Sequence, residues 1–104
     1  MSNYETIKRN AERMDGDTLE MKLDHYTARY TAAYDVLKYV EEQFDAAVEA
    51  VKDAQRDGAD EEAERAVVER ETLWSIYKEL ETRVNRYYEY AAAIYAVLDA
   101  RDAQ

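Results

Sequence analysis

Apolar positions along this chain follow alternating steps of four and three residues, and they do so twice, in mirror order about Gly58. Before the glycine the series is Leu19, Leu23, Tyr26, Tyr30, Ala33, Leu37, Val40, Phe44, Ala47, Val51 and Ala54. After it come Ala63, Ala66, Arg70, Leu73, Tyr77, Leu80, Val84, Tyr87, Ala91, Ile94 and Leu98. Each series is the seam of a helix wound on a partner. Four-residue steps in one arm face four-residue steps in the other, so every layer matches an a position with a d position, as antiparallel helices require. Arg70, opposite Ala47, is the one polar intrusion. The pattern predicts an all-α fold: a long antiparallel helical hairpin, coiled-coil-like, closed by a short turn.

The flanking residues set the expected boundaries. Ser2-Asn3-Tyr4-Glu5 reads as a capping box opening a short N-terminal helix over residues 3–14, with Tyr4, Ile7, Ala11 and Met14 on one stripe. Asp15-Gly16 ends that helix, the glycine supplying a left-handed stop. Asp17-Thr18-Leu19-Glu20 reads as a second capping box, and the first long helix is expected over 18–56. Gly58 terminates it, Asp60 caps the next, and the second long helix is expected over 60–100. There is no proline to break either arm, and no linker or repeat divides the chain. Residues 1–104 therefore read as a single helical-hairpin domain.

Two paired helices bury only one narrow stripe each, yet further apolar residues flank this seam. They are Tyr34, Val36 and Val48 on the first arm, and Val67, Trp74, Ile76, Tyr88, Tyr90, Tyr95 and Val97 on the second. Burying one large side chain is worth roughly 1.5–3 kcal/mol, so such widened stripes call for more helices. A short N-terminal helix can cover only one end of them. The expectation is a homodimer in which two hairpins form a four-helix bundle.

Charge narrows the range of partners. The chain carries 24 acidic and 14 basic residues, a net of −10, which argues against direct nucleic-acid binding because phosphate contacts need a basic surface. Residues 41–71 hold twelve of the carboxylates and four of the cations, so the turn-proximal half is strongly acidic. No apolar run approaches the roughly 18 residues of a membrane span, and residues 1–14 are too charged for a signal peptide. The expected setting is cytoplasmic or virion-associated, without membrane contact. Lysine is scarce beside arginine and carboxylates abound, a balance that resembles proteins of salt-accumulating archaea and their viruses. High-GC actinobacteria and their phages share it.

Catalytic chemistry finds no foothold in these residues. Cysteine is absent, and the only histidine, His25, has Lys22 rather than a glutamate three residues before it. No glycine-rich phosphate loop, nucleophile elbow or histidine-based metal spacing occurs. The expectation is a non-enzyme with no catalytic residue, cofactor or metal.

Two constellations remain. Glu41, Asp45, Glu49 and Asp53 recur every fourth residue, stacking about 6 Å apart along one helix face, and Glu61, Glu62 and Glu64 extend the negative field around the turn. This acidic surface could be an ordinary solvated face with Lys52, Arg56 and Arg65 paired into it. It could also imitate a nucleic-acid backbone and occupy the groove of a basic protein partner. Small acidic phage proteins that act against restriction or CRISPR effectors resemble it in length and charge. The second constellation is aromatic: Tyr30, Tyr34, Trp74, Tyr87, Tyr88, Tyr90 and Tyr95, with Arg29, Arg83 and Arg86 nearby. Tyrosine and arginine are enriched at binding hot spots, although the same rings could form an ordinary core. Together these features lead to the expectation of a non-catalytic interaction, structural or adaptor subunit, viral or haloarchaeal, that self-associates through its Tyr-rich face. The alternative is the acidic nucleic-acid mimic.

Overall fold

The computed structural model of the chain describes residues 3–103, which are helical over 92% of their length and contain no strand. Three helices follow in order: α1 (Asn3–Ala11), α2 (Gly16–Arg56) and α3 (Asp60–Asp102). No helix among the described residues is long and apolar enough to cross a membrane.

The helix ends depart from the sequence-based expectation at several points. Ser2, one half of the first expected capping box, lies outside the described residues; Glu5 stands in the first turn of α1. That helix closes at Ala11 rather than Met14. The Arg13 and Met14 amides bond to the carbonyls of Asn10 and Ala11, three residues back, which tightens the chain out of α-geometry. Arg101 of α3 covers this end, its Nη2 donating to the carbonyls of Glu12 at 3.1 Å and Met14 at 2.8 Å.

Gly16 is not a left-handed stop but the first residue of α2, and among the described residues only Gly58 has a positive φ. The reason is Asp15. Its carbonyl accepts the Leu19 amide at 3.1 Å and its carboxylate accepts the Thr18 amide at 2.7 Å, which makes it the N-cap. The cap thus sits two residues before the expected Asp17, which falls in the first turn, where a carboxylate favours the helix dipole. The Thr18 backbone hydrogen bond also holds the Asp15 carboxyl below its ordinary value.

At the other end of α2, Gly58 adopts φ 71° and completes a Schellman motif. Its amide reaches Gln55 O at 3.3 Å, and the Ala59 amide reaches Ala54 O at 2.9 Å. Ala59 then takes the capping place expected for Asp60, because its carbonyl accepts the Ala63 amide at 2.9 Å. Asp60, Glu61 and Glu62 form the acidic first turn of α3.

By packing, the chain forms two compact units: one from the residues up to Ala33 together with those from Arg83 onward, the other Tyr34–Thr82. In the first unit Leu19, fully enclosed, meets Ala11, Ile94 and Val97, with Met14, Leu23, Tyr26 and Leu98 around them. Ala11 and Met14 bring the stripe of the N-terminal helix region into this core, and Val97, which lay outside the two-helix seam, is covered here. The second unit has two helices only. Its interior is Leu37, Val40, Ala47, Val51, Ala54 and Ala66. Across both units every seam position is buried or half-buried, Arg70 included.

Candidate interaction surface

The second unit carries a continuous aromatic cluster on one side of its helix pair. The Phe44 ring lies 5.5 Å from that of Trp74, and Trp74 stacks on Tyr77 at 5.7 Å with only 10° between the planes. Lys78 sits 5.3 Å over the indole, and Lys38 sits 5.5 Å over the ring of Tyr34. Seven-residue spacing explains the alignment: Tyr34, Glu41 and Val48 each follow a seam residue of α2, and Val67, Trp74 and Glu81 each follow one of α3. These positions flank the seam on one side, where two helices alone cannot enclose them. Trp74 accordingly stays 43% exposed and Tyr34 39% exposed.

Charge is interleaved with the rings. Lys38 and Glu41 stand 3.8 Å apart, and Glu41 is the main reason the ammonium holds its proton above the ordinary lysine value. Burial first, then the carboxylates of Glu81 and Glu41, pushes the Tyr77 phenol above its usual value. The surface therefore offers flat apolar area at its centre with both signs of charge beside it.

The other expected aromatic residues divide. In the first unit Tyr26 stacks on Tyr90 at 4.7 Å, and Tyr30 packs against Tyr88 at 5.8 Å. Tyr30, Tyr87 and Tyr90 are half-buried, so they serve the internal packing of that unit as much as any surface. Tyr88 and Tyr95 are open, at 59% and 62% exposed. His25 is exposed and meets Tyr26 edge-on. Val36 and Ile76, named beside the seam, are exposed in the second unit, and missing from the expected set were exposed Tyr39 and the two lysines over Tyr34 and Trp74. The spacing Tyr34 to Lys38 and Trp74 to Lys78, four residues each, was the available signal for the lysines.

Carboxylates of the acidic ladder also lie in the second unit. Asp45, Glu49, Asp53, Glu61, Glu62 and Glu64 are exposed, while Glu41 is half-buried beside the aromatic cluster. Part of the field is neutralised locally: Lys52 pairs with Glu49 at 3.5 Å, Arg56 with Asp53 at 2.8 Å and Arg65 with Glu61 at 3.8 Å. Exposed pairs of this kind add little stability. Among the described residues no three His, Asp or Glu side chains converge to hold a metal ion. Comparison with protein-family models, curated proteins and solved structures returns no match to this chain.

Proposed function

We propose that this chain is a non-catalytic protein–protein interaction subunit that self-associates through the Trp74 face, two copies forming a bundle of four long helices. The observation that carries the reading is the half-open aromatic cluster of Phe44, Trp74 and Tyr77 with Tyr34 beside it. A second copy is the favoured occupant for two reasons. The face carries Lys38 and Lys78 together with Glu41 and Glu81, so a two-fold pairing can set each cation of one copy near a carboxylate of the other. The chain also exposes 7557 Å², about 1,500 Å² more than the roughly 6,000 Å² typical of a folded monomer of its mass. That excess is larger than the roughly 800 Å² which each partner contributes to a standard interface.

A second reading rests on a narrower observation. Asp45, Glu49 and Asp53 are exposed at four-residue spacing on α2, which suits a basic protein partner and hence a nucleic-acid mimic. Their pairing with Lys52 and Arg56 weakens that reading. The carboxylate-rich surface also fits a cytoplasmic or virion setting in a salt-accumulating host. Sedimentation equilibrium separates self-association from the rest: a mass of about 24 kDa at micromolar concentration is expected, twice the chain's 12.2 kDa. A single species at 12.2 kDa up to about millimolar concentration would remove the proposal.

A further inference from the structure

The first unit encloses a half-open cavity of about 390 Å³, within the range of small-molecule sites. Its lining is built in three parts. Ile7, Ala11, Met14 and Ile94 supply an apolar floor, donated by the N-terminal helix region and α3. The stacked rings of Tyr26 and Tyr90, 4.7 Å apart and nearly parallel, supply a flat wall. Lys22 and Arg86 supply two cations, and the amides of Asn3 and Asn10 add hydrogen-bonding groups.

These two cations bring positive charge to a single cavity in a chain of net charge −10. Lys38, Lys52, Arg56, Arg65 and Arg70 each stand beside a carboxylate, whereas among the described residues Lys22 and Arg86 belong to the cations that have none within ion-pair distance. Lys22 is half-buried and Arg86 exposed, so both can keep a charged head in water at the cavity while their stems cover apolar surface. A guanidinium presents a planar fork that matches a carboxylate, and a nearby ammonium adds a point charge. An apolar floor and an aromatic wall reward a flat hydrophobic body behind that carboxylate.

We propose that this cavity binds a small amphipathic monocarboxylate, with its carboxylate between Arg86 and Lys22 and its apolar body against the Tyr26–Tyr90 wall. A bare inorganic anion would leave the floor wet, and a neutral hydrophobe would leave both cations unanswered. The site lies wholly within the first unit, so it does not depend on the Trp74 face.

The test uses the full chain and three probes: 2-naphthoate, its neutral amide, and acetate. Calorimetry is read beside methyl NMR of Ile7 and Ile94. Naphthoate is expected to bind and shift both methyl signals, the amide to bind about tenfold more weakly or worse, and acetate not to register. Lys22→Ala and Arg86→Ala should each cost about tenfold in naphthoate affinity with helix content unchanged, while Arg86→Lys should restore part of it. Equal affinity for acid and amide would overturn the proposal. So would indifference to both alanine variants, absence of binding up to about 10 mM, or shifts confined to the Trp74 indole.

Discussion

Replacing Trp74 by alanine tests the proposed interface at its largest ring. An aromatic side chain offers up to about 250 Å² of surface, and at 43% exposure roughly 110 Å² of Trp74 is open for a partner. At about 25 cal/mol per Å² this is worth nearly 3 kcal/mol per copy, and a two-fold interface contains the residue twice. Incomplete burial and ordering costs consume part of that. Even half the total corresponds to about a hundredfold weaker dimer. The same change strips packing from Phe44 and Tyr77, so folding stability must be measured alongside association. Sedimentation equilibrium from about 1 to 500 μM gives the dimer constant, and circular dichroism reports the fold. A companion variant with Lys38→Glu and Lys78→Glu leaves the core untouched and makes the face uniformly acidic, and it too should yield a folded monomer. A dimer constant within about threefold of the wild type in the folded Trp74→Ala protein would refute the reasoning. A partner of different composition, or another face, would then have to cover this surface.

Other expectations concern stability and charge. Leu19→Ala opens a void in the fully enclosed core of the first unit and should cost about 2–5 kcal/mol, with amide exchange in α1 accelerated. Amide protection in α1 equal to wild type would contradict the docking of that helix through Ala11. Asp15 should give stability an acid limb. Its folded pKa lies below 3.8, so its contribution is complete above that value and fades as pH falls through the lower folded one. Thermal melts of the wild type and Asp15→Ala from about pH 6 to pH 2 should converge only at the acid end; parallel curves throughout would discount the cap. Reversing Asp45, Glu49 and Asp53 to lysine should leave self-association intact, since these side chains lie outside the aromatic cluster, but should abolish any binding to a basic partner. If the acidity is salt adaptation, the wild-type melting midpoint should climb steeply with molar KCl as carboxylate repulsion is screened. Gly58→Ala should destabilise by about 1–2 kcal/mol because a side chain must enter the left-handed region, whereas Gly16→Ala should be neutral or stabilising. Equal effects of the two changes, read as denaturant midpoints, would contradict the assigned helix ends.

Long-range pairing was legible in the chain because it repeats. Each seam position is confirmed by the next one four or three residues away, and a mirrored second series leaves one register in which both stripes face inward. Leu19, Leu37, Val51, Val84 and Ile94 are buried where that register puts them. Helix ends lack such redundancy. Asp15 and Asp17 are both good caps two residues apart, and either choice satisfies the local sequence. The choice falls to Asp15 because α1 stops early at Ala11 and Arg101 holds the carbonyls that follow it, a contact from the far end of the chain. Gly16 then has no turn to make. Gly58 does, because the Schellman bonds of Gln55 and Ala54 need a residue at positive φ.

Side chains beside the seam posed a harder problem. Periodicity assigns Trp74, Tyr88, Tyr90 and Val97 alike to the flanks of α3, yet they end in different environments. Val97 is buried and Tyr90 half-buried on the flank where the N-terminal helix region docks, while Trp74 and Tyr88 on the other flank remain open. What distinguishes them is the reach of a nine-residue helix, which can cover one flank over only two or three turns. The same helix makes half-buried Lys22 and exposed Arg86 part of the lining of a cavity, a role that neither residue's neighbours in sequence announce. Coverage by α1 is therefore the variable that sorts this chain's aromatic and cationic residues into packing, pocket and open surface, and a change that detaches α1 should erase the pocket while leaving the Trp74 cluster of the second unit in place.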